Sequence, residues 1–362
     1  MKSIVVSTDH LYSFKNFKTQ LKENSDLKIY SEIFKLVPFT WLVDRTESCS
    51  LPFATHFKEE YRIPLVQQFN DSLEEICQST VEKYKSINKQ IYILWSGGID
   101  STLLVISFLK SSIDKENIIV ACNIDSIREN YNFYKKYILP NFKVISSDIM
   151  MQNGNLSVFD GLILNGDPAD VLYGYDLASD ILKILGPNYL QLPCDRENVI
   201  NYFNLKGFSN NSANFWYDYF KSTTNKSYKP IITMQDFSWW EGFNYRWQAA
   251  NEKLKIRLSS ESSKNYKQFF NTTEFQLWSI HRQFSPIKQF SDFKKESKKI
   301  IFDYTKDEFY YKHKIKLNSN THIFGLNSYS ALLNNDQRLT SKEFDIFDFY
   351  NQNNFINDWL SC

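Results

Sequence analysis

The sequence predicts an α/β fold: a doubly wound, mainly parallel sheet, with a mostly helical C-terminal part and a small N-terminal module. Three observations carry that expectation. Between residues 71 and 195, short apolar runs alternate with stretches of helical periodicity, the pattern of β-α-β units. Those runs are apolar at nearly every position rather than every second one, as strands covered on both faces are. The 362 residues, 43% hydrophobic and 23% charged, lie near the averages of globular domains and can bury a substantial core.

Taken in order, residues 1–70 hold the short β-like runs SIVVS and FTWLVD and read as an accessory module. DSLEEICQSTVEKYK, Asp71 to Lys85, puts Leu73, Ile76, Cys77 and Val81 on one face with charges between them, a helix. QIYILW, Gln90 to Trp95, is a buried strand, and after a glycine turn DSTLLVISFLK is a helix capped by Asp100 or Ser101. The pattern repeats with strand Asn117 to Cys122, helix Ser126 to Ile138, strands Phe142 to Ser147 and Gly161 to Asn165, and helix ADVLYGYDLASDILKIL. Beyond Ile200 the strand signal fades, leaving SWWEGFNYRWQAANEKLKIRL and FNTTEFQLWSIHRQF as helical segments. The expected organisation is therefore a 71–195 α/β core and a 196–362 helical part within one domain, with no solenoid repeat.

Composition narrows the function. Lys plus Arg (42) nearly cancels Asp plus Glu (41), so no global field attracts nucleic acid, although a local basic stretch from Lys294 to Lys316 could meet one. The five cysteines show no C-x-x-C spacing and the five histidines no metal-binding pair, which argues for reduced thiols and against a histidine-held metal. No apolar run is long enough to cross a bilayer, and the first residues do not read as a signal peptide, so the expected location is the cytoplasm. The aromatic content of 17% is attributed to compositional bias.

Chemistry concentrates in Ser96-Gly97-Gly98-Ile99-Asp100-Ser101-Thr102, which joins a strand to a helix. Glycines there admit a ligand close to the backbone, and successive N–H groups make an anion-binding nest at the positive end of the helix dipole. Ser96, Ser101 and Thr102 add hydroxyls, and Asp100 could hold Mg²⁺ bridging phosphate oxygens. A polyphosphate suits this loop. The pattern is not the P-loop, since no lysine follows the second glycine, nor is it G-x-G-x-x-G. A tight turn with a helix cap is the plainer alternative.

SGGIDST resembles the S-G-G-x-D-S pyrophosphate loop of the N-type ATP pyrophosphatases, which include asparagine, GMP, NAD and argininosuccinate synthetases. The resemblance implies an adenine nucleotide alpha hydrolase-like fold, cleavage of ATP between its α and β phosphates, and a loop holding the departing pyrophosphate. LILNGDPADVLYGYD, Leu162 to Asp176, is similar to the LSGEGADELFGGY segment of asparagine and β-lactam synthetases. On that match Asp170 is the second Mg²⁺-binding aspartate, partner of Asp100, and Asp167 assists the second half-reaction. Asn165 and Gly166 fall near nucleotide and substrate. Pro168 and Val171 depart from the family's glycine and glutamate. An acidic loop capping a helix is the competing account of this segment.

SKKIIFDYTKDEFYYKHKIKL, Ser297 to Leu317, resembles the family's late K-x-(I/L)-L-R-x-A segment more weakly, with Lys298 in the place of the catalytic lysine. Lys299, Lys312 and Lys314 are alternative phosphate contacts, and a solvated helix face is the plain alternative. Cys122, Asn123 and Ile124 occupy the region where relatives hold adenine. The run FSWWEGFNYRWQ could line a substrate pocket, but a buried helical core accounts for it better. No glutaminase half is expected, because Lys2 stands where such enzymes carry a Cys nucleophile.

The resemblance therefore implies an ATP- and Mg²⁺-dependent, AMP-forming carbon-nitrogen ligase. It would adenylate a small-molecule carboxylate, or alternatively a carbonyl, and join it to an amine, to ammonia, or to ammonia supplied by a separate glutaminase. Two other readings are a nucleobase- or tRNA-modifying enzyme using the same adenylation, and an ATP-binding regulatory or interaction module that has lost catalysis.

Overall fold

The computed structural model describes residues 43–48, 59–66, 68–87, 89–147, 161–248, 250–251 and 264–314. Most of the expected N-terminal module, including SIVVS, lies outside them. The described chain forms two compact units, one built from residues up to 63 with 174–251, the other from 64–173 with 264–314.

The second of these units holds the sheet. Helix α1 (Leu73–Glu82) starts at a capping box: Ser72 Oγ accepts from Glu75 N, and the Glu75 carboxylate accepts from Ser72 N. It buries the face read from the sequence, Leu73, Ile76, Cys77 and Val81. Strand β1 (Gln90–Leu94) leads into α2 (Ile99–Lys110), and β2 (Ile118–Cys122) into α3 (Ile124–Glu129). Strands β3 (Lys143–Ser146) and β4 (Gly161–Asn165) follow, then α4 (Ala169–Tyr173). All pairings are parallel and the sheet order is β3-β2-β1-β4-β5, the arrangement of a Rossmann-like α/β fold. Every residue of β2 and β4 is buried, which is why their sequences are apolar without alternation.

Several boundaries differ from the sequence expectation for local reasons. Gly98, not Asp100 or Ser101, is the N-cap of α2, so Asp100 lies inside the first turn. The helix expected over Ser126 to Ile138 begins at Ile124, because the Asn123 side chain accepts from Ser126 N and caps it. It breaks at Asn130 and resumes as a turn, Tyr131–Phe133, followed by a π-helical stretch, Tyr134–Ile138. ADVLYGYDLASDILKIL divides at Gly174, whose φ of 64° takes the left-handed region.

In the other unit, α5 (Tyr175–Leu185), α6 (Arg196–Leu205), α7 (Asn210–Thr224) and α8 (Met234–Trp240) surround an aromatic core, and α8 runs on into a π-helical stretch, Glu241–Arg246. Trp216, Trp239, Trp240, Phe243, Tyr245 and Trp247 are all buried, with Trp239 and Phe243 stacked 5.0 Å apart. The tryptophan-rich run is thus core, as expected. Arg45 enters this core, its Nη1 donating to Phe243 O at 2.7 Å and its guanidinium 4.9 Å from the Phe243 and Trp247 ring centres.

The sheet unit is completed by β5 (Tyr266–Gln268), α9 (Thr273–His281), α10 (Lys295–Thr305) and α11 (Glu308–His313). Strand β5 lies where no strand was expected. Its three residues, Tyr-Lys-Gln, carry no β pattern, and it is a strand because it pairs with β4 through Ile163↔Tyr266 and Asn165↔Gln268. Among the described residues, no helix is long and apolar enough to cross a membrane.

Candidate functional site

From β1 the chain moves through β2 to β3 on one side, then returns to place β4 on the other side of β1. Sheets of this kind open a crevice at the carboxyl ends of the strands flanking that reversal. Ser96–Thr102 follows β1 and Gly166–Asp170 follows β4, so both motifs read from the sequence meet at the crevice.

The loop is built around Gly97. Its φ is 75°, and a Cβ there would run into the Ser126 carbonyl oxygen and lie 2.7 Å from Glu129 Cβ. Only glycine combines that backbone with that proximity. Gly98 has an ordinary φ of −73°. The hydroxyls hold the loop to itself: Ser101 Oγ accepts from Ser96 N at 3.1 Å, lies 3.0 Å from Ser96 Oγ and donates to Gly98 O, while Ser96 Oγ accepts from Gly98 N. Thr102 is fully buried and its Oγ1 accepts from the Trp95 indole at 3.2 Å, so it braces the loop from beneath. The first-turn N–H groups of α2 have no intrahelical acceptor, which leaves the helix end suited to an anion.

Gly166 brings β4 against this loop. A Cβ there would lie 3.0 Å from Ser101 N and 3.2 Å from Asp100 Cβ. The next turn is fixed by Asn165, whose Nδ2 donates to Asp167 Oδ2 and whose Oδ1 accepts from Asp167 N, both at 3.2 Å. The Asp167–Pro168 peptide is cis. These contacts deliver Asp170, in the first turn of α4, beside Asp100 in the first turn of α2. Both carboxylates bond one group, the ammonium of Lys294, whose side chain is only 2% exposed.

Lys294 was not among the candidate lysines. It sits in DFKKESKK, where a lysine reads as part of a solvated face, and no spacing distinguishes it. Its backbone is left-handed, with φ of 55° at the N-cap of α10, a conformation it shares among the described non-glycine residues with Glu47 and Lys306. Lys294 Nζ also stands 6.0 Å from the Tyr173 ring centre, and the Tyr173 hydroxyl meets Ser297 Oγ at 2.7 Å. Arg282 covers the same ring at 4.5 Å and pairs with Glu296 at 2.9 Å.

Lys298, one turn further along, is placed elsewhere. It is 1% exposed and its Nζ donates to Ser291 O at 2.7 Å; burial pulls its ammonium down to about 8, with Asp292 opposing. Lys299 and Lys312 make exposed pairs with Asp303 and Glu308. Lys314 pairs with the buried Glu129, the residue packed against Gly97, so it reaches the underside of the loop. Within the described part of the Lys294–Lys316 stretch, Lys294, Lys298 and Lys314 are turned inward, while Lys295, Lys299, Lys306 and Lys312 are exposed. Cys122 ends β2, with its carbonyl accepting from Ser147 N at 2.9 Å, Asn123 caps α3, and Ile124 opens that helix.

The donor set suits a hard divalent cation. Two carboxylates converge on one position already taken by a cationic nitrogen, and Mg²⁺ takes one or two carboxylates, completing its shell with phosphate and water oxygens. No group of three or more His, Cys, Asp or Glu side chains that could hold a metal occurs among the described residues. Comparison with protein-family models, curated sequences and solved structures gives no match, so fold and geometry carry the functional argument alone.

Proposed function

We propose that the protein is an ATP- and Mg²⁺-dependent, AMP-forming carbon-nitrogen ligase of the asparagine synthetase-like N-type ATP pyrophosphatase kind. The observation that carries this reading is the convergence of Asp100 and Asp170 on one buried cation, beside a glycine loop at the strand-order reversal. The loop lacks the lysine of P-loop enzymes, and its likeness to the S-G-G-x-D-S pyrophosphate loop favours cleavage between the α and β phosphates, with two carboxylates and a helix end available to the charges.

In this mechanism a substrate carboxylate oxygen attacks the α phosphorus, the bond to the bridging oxygen breaks, and pyrophosphate leaves with the electron pair. The Ser96–Ser101 backbone receives that leaving group, while Thr102 holds the loop from below. Asp100 and Asp170 would hold Mg²⁺, which supplies charge neutralisation at the phosphates. Lys294, freed from the carboxylates, turns its ammonium to the α phosphate, so the role expected of Lys298 is assigned to Lys294. An amine nitrogen then attacks the acyl carbon, AMP departs, and Asp167 accepts the proton the amine loses. Among the described residues Cys77, Cys122 and Cys194 are thiols rather than disulfides, which is compatible with a reducing, cytoplasmic setting.

One observation favours a second reading. The Asp100–Lys294–Asp170 cluster already holds an internal cation, as a structural cluster would, and an ATP-binding module without catalysis would keep it closed. Incubation with ATP, Mg²⁺ and a small-metabolite extract separates the two. Release of AMP and pyrophosphate, with loss of one metabolite by mass spectrometry and abolition by Asp100→Asn, supports the ligase. ATP binding without either product, across many carboxylates and amines, supports the module.

A further inference from the structure

Beyond the crevice, the sheet unit holds a cavity of about 510 Å³ between the Tyr131–Ile138 segment and the far end of α10. That volume suits a small organic ligand. None of its lining residues belongs to the crevice. Helix α10 connects the two places, with Lys294 capping one end and Lys306 the other, roughly 18 Å apart at 1.5 Å per residue.

Three features of the lining point to one ligand chemistry. Exposed Lys135, Lys136 and Lys306 ring the cavity against a single carboxylate, Asp307, whose Oδ1 already accepts from Tyr310 N at 2.8 Å. The walls are apolar and held in place: Phe133 is buried, its ring 5.3 Å from that of Tyr137, and the Tyr137 hydroxyl donates to Thr305 O at 3.2 Å. Lys136 Nζ stands 5.2 Å from the Tyr137 ring centre, so a cation and a flat surface are presented together. Third, Asn130 lines the cavity, is only 8% exposed, and its Nδ2 has no hydrogen-bond partner among the described residues. A buried donor left unsatisfied costs free energy that an acceptor in the cavity would recover.

We propose that this cavity is a second ligand site, for a small organic anion with a flat apolar body: the body packs on Tyr137 and Phe133, the anionic head meets the three lysines, and an acceptor takes the Asn130 Nδ2–H. The site is independent of nucleotide chemistry in the crevice and would exist in either functional reading.

The test uses the ¹⁵N-labelled full chain titrated with indole-3-acetate, with neutral indole as the body without the charge and inorganic phosphate as the charge without the body. For a ligand of this size the expected Kd is on the order of 1 mM. Shifts should centre on the Asn130 side-chain amide and on residues 131–137 and 301–307, and indole and phosphate should each bind about tenfold more weakly. The triple variant Lys135→Gln, Lys136→Gln, Lys306→Gln removes only exposed charges. It should keep its circular dichroism spectrum and thermal midpoint while losing about tenfold in affinity for indole-3-acetate. The proposal is overturned by absence of saturable binding, by equal binding of indole or phosphate, or by undiminished affinity in the triple variant. Displacement of indole-3-acetate by Mg²⁺-ATP would assign the cavity to the nucleotide site and overturn it as well.

Discussion

Asp100 and Asp170 share one counter-ion: both carboxylates bond the ammonium of Lys294, which is almost wholly removed from solvent. Like charges brought together at two helix starts repel, and the lysine offsets that repulsion. The arrangement is a cation site with its own internal occupant, and replacement of that occupant is what a divalent ion must accomplish.

Lys294→Met should expose this directly. With the ammonium gone, the two carboxylates lose their shared counter-ion, so the variant should unfold at lower temperature than the parent without Mg²⁺ and recover stability when Mg²⁺ is added. Calorimetric Mg²⁺ affinity without nucleotide should rise about tenfold or more, about 1.4 kcal/mol, because no internal cation competes. AMP formation should fall at least a hundredfold, consistent with loss of one transition-state charge contact of about 3 kcal/mol. Unchanged Mg²⁺ affinity together with unchanged turnover would remove Lys294 from the site.

The two glycines of the loop should behave differently. Gly97→Ala forces a side chain into a left-handed backbone and against the Ser126 carbonyl, at a cost of about 1–3 kcal/mol before any relaxation of Glu129. Gly98→Ala keeps a normal φ and meets only Ser96 Oγ at 3.2 Å, so its cost should stay within about 1 kcal/mol. Urea denaturation of both variants measures the contrast, and equal losses would contradict the geometry.

Lys298 makes a contribution to stability that rises with pH, opposed above about pH 9 by the Cys77 and Cys194 thiols, which burial pushes up to about 12. Its ammonium titrates near 8 in the folded chain, below the ordinary lysine value of 10.5, because burial disfavours the charge. Between these values the unfolded chain binds more protons at this group, so raising pH from about 8 to about 10.5 favours folding through Lys298 by at most about 3 kcal/mol, less where solvent screens it. Below pH 8 both states are protonated and the folded state bears the full penalty. In chemical denaturation from about pH 7.5 to 10.5, the stability of the parent relative to Lys298→Met should rise with pH, whereas its stability relative to Lys295→Met, at an exposed side chain, should not.

In the helical unit, Glu241 and Arg246 form a buried pair, Arg246 Nε lying 2.9 Å from Glu241 Oε2. Burial pushes the Glu241 carboxyl up, and the Arg246 guanidinium holds it back. Arg246→Met leaves an uncompensated buried carboxylate and should cost about 3–5 kcal/mol in thermal or urea unfolding. The double variant with Glu241→Leu should recover most of that loss. Failure of the second substitution to compensate would show that Arg246 acts through its packing rather than its charge.

Much of this molecule is legible in the order of its residues, because the relevant forces are local. Apolar β-branched runs become the central strands, Gly97 marks a left-handed turn, and the spacing of Leu73, Ile76, Cys77 and Val81 defines a buried helix face. The pairing of Asp100 with Asp170 could be inferred as well, since each follows a strand and strand ends gather on one side of a parallel sheet. Tertiary structure alone decided the rest. Strand β5 exists because β4 offers it a partner, not because Tyr-Lys-Gln favours extension. Thr102 faces an indole rather than the crevice because α2 begins at Gly98. Lys294, rather than Lys298, meets the aspartates, and the identity of a distant counter-ion depends on how the chain returns to the sheet, which no local pattern encodes.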